Sequence, residues 1–354
     1  MLARLSRAAA LAGLLFLADL AWVADAPAAD QGQSLDVLHL SAEQRVLLLA
    51  GDTIAYPVAE TGETELGAGV AMYLPVPLGR AAEAITSSGI VLQDPSISAS
   101  GPLAPGATPS ALAGYQLAAS EAAEALDALE AAPGSRFNLA PPEIEAFHAA
   151  KAARRGADRA AMVEAGAGQW RALLFHRWQA FLARGLDGIA PYARRRGTSD
   201  PAALLRVAAG DARVVAHLMP RLQEALLRFP AEQSPTATSQ FYWVKREVQG
   251  QPTPILIHHL VDVSPGMAVY VERHFYVGHS YNASQILSGA VPYEDGVVIF
   301  SSNRVSTDQV AGLGGEMKRM IGRRQLRREI VKRFDRIRAA LARPAPPLVP
   351  EQAP

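Results

Sequence analysis

From about residue 239 onward the chain changes from a helical to a β-rich pattern, and this change constrains the fold more than any other feature. Three segments rich in β-branched and aromatic residues follow one another, separated by two turn signals, Gly250-Gln251-Pro252 and Ser264-Pro265-Gly266. Such turns join neighbouring antiparallel strands without a crossover. The pattern therefore predicts a meander of antiparallel strands. A fourth strand, DGVVIFSSNRV, follows a segment, SYNASQILSGAVPYE, that we predict as a short helix or covering loop.

A long amphipathic helix follows the predicted sheet and runs to about Arg343. Ser306 and Gln309 have the spacing of a capping box, so we predict that the helix begins there. Lysine and arginine far outnumber aspartate and glutamate between residues 313 and 345. Apolar residues recur at intervals of three and four and so form a stripe opposite the arginines. The stripe consists of Leu326, Ile330, Phe334, Ile337 and Leu341.

The part of the chain before residue 239 is mainly helical in pattern. Ser41 and Gln44 have capping-box spacing, which predicts a helix over about 42–50. A strand over Gly69 to Val76 and a helix after Pro77 form a strand-then-helix unit. Residues 94–108 are rich in Pro, Gly and Ser and predict a loop. Successive amphipathic helices are predicted from there to about residue 229.

The N-terminus has the layout of a secretory signal peptide over residues 1–28. Arg4 and Arg7 precede the apolar run from Ala8 to Ala18, and small residues allow cleavage after Ala28. We therefore expect a periplasmic or secreted protein; a retained anchor is the alternative. The sequence contains no cysteine, which excludes disulfides, zinc-thiolate sites and a thiol nucleophile. The proline-rich tail, residues 344–354, is predicted to be disordered.

The element order resembles that of the helix-grip superfamily of START-like, polyketide-cyclase-like and Bet v 1-like proteins. The segments that carry the resemblance are GVAMYLPVPLGRAAEAI and residues 241–341. It implies an α+β fold in which a curved antiparallel sheet wraps a long C-terminal helix and the gap between them holds an apolar ligand. Residues 29–109 and 233–343 would then form the core, and residues 110–232 a large α-helical insertion. The superfamily has no universal catalytic residues, so the resemblance implies none here.

Polar side chains gather on the third strand of the meander, VERHFYV, and in the HSYN segment after it. Because side chains alternate along a strand, Glu272, His274 and Tyr276 are expected on one face with Tyr270. The other face is apolar, apart from Arg273. The hairpin turn places a residue between Leu256 and His258 opposite His274, so His258 and His274 could be direct or diagonal neighbours. His279 and Tyr281 follow where the strand ends, a common place for functional side chains.

These residues allow three interpretations, which the sequence leaves open. His258, Glu272, His274, Tyr276, His279 and Tyr281 could contact a ligand or transfer protons. Alternatively, His274 is a structural histidine between two layers, hydrogen-bonded to Glu272 or Tyr276 beneath the helical region, and Ser280 or Asn282 caps a following helix. A His/His/Glu metal site is geometrically allowed, but we predict no metal and no cofactor.

Together these observations favour an exported, non-enzymatic protein that binds a hydrophobic small molecule or lipid. The alternatives are an acid/base enzyme that uses His274 or His279 in the same cavity, and a structural or interaction protein of the cell envelope. The arginine-rich helix could also contact an anionic membrane surface. Nucleic acid is not an expected partner, because the chain carries an export pattern and a net charge of +0.

Overall fold

The computed structural model of the protein describes residues 35–86, 94–312 and 314–342. The predicted signal peptide, residues 1–28, and the predicted tail, residues 344–354, lie outside the described residues. The described chain has an α+β fold, with an eight-stranded antiparallel sheet and a long C-terminal helix. Its helices are α1 (Ala42–Leu49), α2 (Leu78–Thr86), α3 (Ala122–Ala128), α4 (Pro141–Ala152), α5 (Arg159–Arg184), α6 (Pro201–Gly210), α7 (Arg213–Leu218), α8 (Pro220–Arg228) and α9 (Gly315–Leu341).

The eight strands of the large sheet are arranged in the order β1-β2-β10-β9-β8-β7-β6-β3, and every neighbouring pair is antiparallel. Strands β4 (Tyr192–Ala193) and β5 (Thr198–Ser199) form a separate two-stranded ribbon. The strands of the large sheet are β1 (Ile54–Tyr56), β2 (Glu65–Leu74), β3 (Ile97–Pro102), β6 (Ala237–Val248), β7 (Gln251–Ser264), β8 (Met267–Val277), β9 (Ala283–Tyr293) and β10 (Gly296–Ser306).

Local signals predicted several of these elements correctly. The capping box of α1 is present, because the Ser41 hydroxyl accepts from the Gln44 amide at 3.1 Å and the Gln44 side chain accepts from the Ser41 amide at 2.9 Å. The β6–β7 turn is confirmed; both of its central residues, Gln249 and Gly250, have positive φ, at 55° and 75°. Turns with this backbone match the twist of the strands that they join. The β2–α2 unit and the two predicted hairpins are therefore observed.

Two segments predicted to be irregular are strands. The segment SYNASQILSGAVPYE, predicted as a helix or covering loop, contains β9, which is buried on both faces along most of its length. Its mixture of serine, alanine and glycine hides the alternation by which a half-exposed strand is recognised. Within the predicted loop at 94–108, the edge strand β3 pairs with β6. Edge strands tolerate glycine and proline, which explains the misleading composition.

The final helix begins later than the sequence predicted. Ser306 is the last residue of β10, and the Thr307 hydroxyl accepts from the Gln309 amide to cap a short 3₁₀ helix, Asp308–Val310. Helix α9 starts only at Gly315. Its predicted apolar stripe is confirmed, since Ile330, Phe334 and Ile337 are buried and Leu326 and Leu341 are partly buried against the same cluster.

The two faces of the sheet are covered by different helices. The helical region covers the face that contains Val269, Val271 and Phe275, where large side chains such as Trp178 and Phe181 fill the space. Helices α2 and α9 cover the opposite face. Tyr270, Glu272 and His274 lie on this opposite face, so the prediction that the helical region covers them is wrong. Their neighbour is the C-terminal helix.

Candidate functional site

The candidate site begins with the register of the β7–β8 hairpin. Its two-residue loop pairs Ser264 with Met267, and the same register places His259 opposite Glu272 and Ile257 opposite His274. Paired residues share a face of the sheet. His259, Glu272 and His274 therefore converge beneath α9, and the sequence analysis missed His259.

His258, predicted as the partner of His274, lies on the other face of the sheet. It is opposite Arg273, its Nε2 is 2.7 Å from the hydroxyl of Ser239, and its ring stacks on Phe241 with centroids 4.6 Å apart. The predicted register is correct, because Ile257, which lies between Leu256 and His258, is opposite His274. His258 therefore points to the other face, and the prediction that it is a neighbour of His274 is wrong. Counting pairs outward from a two-residue loop would have identified His259, because a shift of one position exchanges the faces.

A continuous chain of hydrogen bonds joins the polar residues beneath α9. The Tyr270 hydroxyl donates to Oε2 of Glu272 at 2.8 Å, so its oxygen accepts from Nε2 of His259, also at 2.8 Å. On the other side, Nε2 of His274 donates to Oε1 of Glu272 at 2.6 Å. Nδ1 of His274 is 2.7 Å from the hydroxyl of Tyr281. Glu272 thus orients two histidines, one of them through Tyr270.

Burial, together with the neighbouring charges and hydrogen bonds, determines the charge of each group in this cluster. Burial alone would raise the pKa of Glu272, but the Arg333 charge and the hydrogen bond from His274 hold that pKa well below its usual range. Burial lowers the pKa of His259 to about 4, despite the opposing effect of Glu272. Burial also raises the pKa values of Tyr270 and Tyr281, which therefore remain protonated at neutral pH. The cluster consists of a carboxylate, a neutral histidine, two phenols and His274.

Tyr276 and His279 are not part of this cluster. The register shifts between Leu256 and Ile257, so that Tyr276 pairs with Leu256 while Ile257 pairs with His274. This irregularity turns Tyr276 towards the helical region, where the guanidinium of Arg177 lies 4.5 Å from its ring centroid. The prediction that Tyr276 shares a face with His274 is therefore wrong, because an extra residue in one strand reverses the alternation beyond it.

His279 lies at the sheet end, beside the helical region. Its Nδ1 is 2.7 Å from the Ser280 hydroxyl, and its Nε2 is 3.5 Å from Oε1 of Glu124. No helix follows it, because β9 starts at Ala283, so the predicted helix-capping role of Ser280 or Asn282 is wrong. Asn282 instead donates to Asp308 and accepts from Arg194.

A cavity of about 620 Å³ lies between the sheet and α9, next to the cluster. Its floor on β9 and β10 carries the small polar side chains of Ser284, Ser301 and Asn303, and Gly322 and Gln325 of α9 also line the cavity. Side chains of this size leave a gap that the helix and sheet do not fill. Further lining residues are apolar, namely Leu66, Ile286, Val305, Val310, Ile321, Leu326 and Ile330. His274 and Tyr281 form part of the wall.

Basic residues line one end of this cavity, and the sequence analysis did not single them out as site residues. Arg333 and Arg336 come from α9 and Arg246 from β6. Arg333 and Arg336 belong to the helix whose arginines are predicted to lie opposite the apolar stripe, but Arg333 lies one turn after the buried Ile330 and reaches Glu272. In the sequence, the position of Arg333 and Arg336 next to the apolar stripe was the indication that they lie near the sheet.

Among the described residues, no group of three or more histidine, aspartate or glutamate side chains is arranged to hold a metal ion. Within the same residues, no helix combines the length and the apolar character needed to cross a membrane. The chain matches no protein-family model, no curated protein sequence and no solved structure. The resemblance to helix-grip proteins therefore rests on the order of the elements, to which an antiparallel sheet followed by a long C-terminal helix corresponds loosely.

The neutral state of His259 predicts a pH-dependent stability. A histidine with a pKa of about 4 when folded and about 6.5 when unfolded binds protons more readily in the unfolded chain. The stability gained from a neutral, buried His259 is therefore complete above pH 6.5 and is lost as the pH falls towards 4. The measurement is the decrease in the free energy of unfolding, determined with urea, between pH 6.5 and pH 5. We expect this decrease to be about 2 kcal/mol smaller in His259→Gln than in the wild type.

The opposite pH dependence of Glu124, whose pKa burial raises to about 7, is common to both proteins and cancels in this comparison. The exposed His217 supplies the control, since His217→Gln should retain the wild-type dependence. Identical slopes for the wild type and His259→Gln would contradict a neutral, buried His259.

Proposed function

We propose that the protein binds a hydrophobic small molecule or lipid in the cavity between the sheet and α9. The observation that carries this proposal is the volume of about 620 Å³, which is within the range of about 300–1,000 Å³ typical of ligand pockets. Apolar side chains such as Ile286 and Leu326 form one part of its lining, and polar and charged side chains form the rest. The proposal includes the helix-grip arrangement, in which the sheet curves around α9, and export of the mature chain to the periplasm or the medium.

The contrast between the two faces of the sheet supports a ligand site. The face under the helical region is filled by aromatic side chains, whereas the face under the first half of α9 carries serines that bond to their neighbours across the strands. Ser284 donates to Asn303 at 3.1 Å and Ser288 lies 2.9 Å from Ser301. These hydroxyls are satisfied without filling the gap above them, which leaves room for a ligand.

A substitution in the cavity floor tests this function. Ser284→Phe places an aromatic ring in the cavity, whereas Ser284→Ala removes the same hydrogen bond without adding volume. With the neutral fluorescent probe N-phenyl-1-naphthylamine, we expect saturable binding to the wild type and to Ser284→Ala. The probe's Kd should rise by about tenfold or more in Ser284→Phe, a loss of about 1.4 kcal/mol. Equal affinity in all three proteins, or no binding by the wild type, would overturn the proposal.

We propose acid/base catalysis as a second candidate function, favoured by the chain Glu272–His274–Tyr281 that ends at the cavity wall. When His274 is neutral, its Nδ1 accepts the Tyr281 proton, and the phenol oxygen can accept a proton from a ligand or water. A water attacking a bound ester would pass its proton to Tyr281 as Tyr281 passes its own to His274. The ester C–O bond then breaks, and the imidazolium returns the proton through Tyr281 to the leaving alkoxide. The carboxylate of Glu272 stabilises the imidazolium that forms.

The test of this second function is hydrolysis of p-nitrophenyl laurate. If the relay is catalytic, the wild type releases p-nitrophenolate and Tyr281→Phe lowers kcat by about 10²-fold or more. Tyr242→Phe is the matched control, because the Tyr242 hydroxyl bonds to the exposed side chain of Gln240 outside this relay. Binding of the naphthylamine probe without turnover of the ester would rule out this esterase activity and leave the binding function standing.

We also propose that an anionic membrane surface is the partner from which the ligand is taken. Met317, Met320 and Ile321 on the first turns of α9 are exposed by 66%, 57% and 59%, and Ile321 also lines the cavity. Spacings of three and four place Arg324 and Arg328 further along the same face. An exposed apolar turn followed by arginines is the composition of a helix that lies in a lipid interface.

Vesicle flotation tests this partner. The protein should bind vesicles of phosphatidylcholine that contain phosphatidylglycerol and not pure phosphatidylcholine vesicles, because the arginines need anionic headgroups. The double substitution Met320→Gln/Ile321→Gln should weaken binding by about tenfold. The control is Val46→Gln/Leu47→Gln on α1, where two exposed apolar residues lie away from the cavity. A larger loss in the α1 variant than in the α9 variant would overturn the assignment.

A further inference from the structure

The basic end of the cavity continues into a narrow recess of about 20 Å³. The recess shares five residues with the cavity: Asp94, Arg246, His274, Arg333 and Arg336. Glu272 completes its charged lining. A recess of this size accepts one small polar group and no more.

Two of the three arginines in the recess have carboxylate partners. Nη2 of Arg246 donates to Asp94 at 2.9 Å, and its Nε donates to the Ser96 hydroxyl at 2.9 Å. Nη2 of Arg333 lies 3.3 Å from Oε2 of Glu272. Arg336 forms no ion pair or hydrogen bond within the described ranges. Three guanidinium groups against two carboxylates leave one positive charge.

Two guanidinium nitrogens in the recess are buried and lack a partner among the described residues. They are Nη1 of Arg333 and Nε of Arg336. A buried donor without an acceptor costs about 1–3 kcal/mol, and more when it is charged. The acidic residues of α9 do not satisfy them, because Glu316, Glu329 and Asp335 pair with Arg319, Lys332 and Arg338, respectively. The recess is therefore suited to an acceptor that the ligand supplies.

We propose that the cavity binds a long-chain carboxylate, with the carboxylate group in the recess against Arg333 and Arg336 and the hydrocarbon chain along the apolar wall towards Ile321. This inference rests on the proposed binding function and deepens it by naming the ligand class. A carboxylate carries the single negative charge that the recess lacks, and its two oxygens match two guanidinium donors. Asp94 and Glu272 border the recess and disfavour a second negative charge there.

Competition against the naphthylamine probe tests the carboxylate. Dodecanoate and dodecanol have the same chain length and differ in the head group, so their ratio of affinities isolates the contribution of the recess. We expect dodecanoate to bind at least about tenfold more tightly than dodecanol to the wild type, equivalent to about 1.4 kcal/mol. Arg336→Met should abolish this preference while dodecanol affinity stays unchanged, and Arg336→Lys should restore part of it.

Arg327→Met is the matched control, because it removes a positive charge from the exposed face of the same helix, outside the cavity lining, and should keep the preference for dodecanoate. Equal binding of dodecanoate and dodecanol by the wild type would overturn the carboxylate site and leave the cavity function intact. Absence of binding by both, together with no probe binding, would overturn both proposals. Tighter binding of dodecyl phosphate or lysophosphatidylglycerol than of dodecanoate would overturn the carboxylate in favour of a phosphate head group.

Discussion

The buried carboxylate of Glu272 is the group on which the arrangement of the site depends. An ionised carboxylate inside a protein is stable only with charged and hydrogen-bonding partners, and removing one partner of such a pair costs about 3–5 kcal/mol. Glu272 obtains its partners from both layers: Tyr270 and His274 from its own strand, and Arg333 from α9. The ion pair therefore ties the C-terminal helix to the sheet at one point. It also draws Arg333 inward, which places Arg336 one turn later at the recess.

The rest of the helix is held by a short apolar contact, and this explains where the cavity lies. Ile330, Phe334 and Ile337 belong to the buried cluster that also contains Val70 of β2, the strand on which α9 lies. In the first half of the helix, Gly322 lies against Leu66 at one side of the cavity, and the serines and the asparagine of β9 and β10 line the cavity floor. The floor of the gap therefore carries small side chains, whereas larger ones such as Leu66, Ile286 and Leu326 form its walls. On the opposite face, Trp170, Trp178 and Phe181 fill the space between the sheet and the helical region.

The sequence predicted the elements that local chemistry determines and missed those that depend on neighbours. Caps, two-residue turns and the stripe of α9 are encoded within a few residues, and α1, the hairpins and α9 were found from them. Strand β9 is buried on both faces, so its alternation is lost, and only its pairing with β8 and β10 explains it.

For the site, Glu272, His274 and Tyr281 were identified. His258 was expected beside His274, but Ile257 lies opposite His274, so His258 points to the other face and His259 to this one. The bulge that turns Tyr276 away has no local signature in the sequence. Arg333 and Arg336 required the helix to be placed on the sheet.

The excess of positive charge on α9 can be divided by what each arginine contacts. Arg323 is neutralised by two hydrogen bonds to Glu60, at 2.7 and 2.6 Å, and Arg333 by Glu272, so part of the excess fixes the helix to the rest of the chain. Arg324, Arg327 and Arg328 form no ion pair within the described residues and are exposed. Arg336 also forms none there, yet its Nε is buried.

A charge on an exposed face is solvated and costs little free energy. A buried guanidinium nitrogen without an acceptor instead carries a desolvation cost that no contact within the described residues offsets. Solubility would explain the exposed arginines equally well, whereas an acceptor supplied from outside the chain would explain Arg336. For that reason the recess, and not the outward face of the helix, gives the stronger indication of what the protein binds.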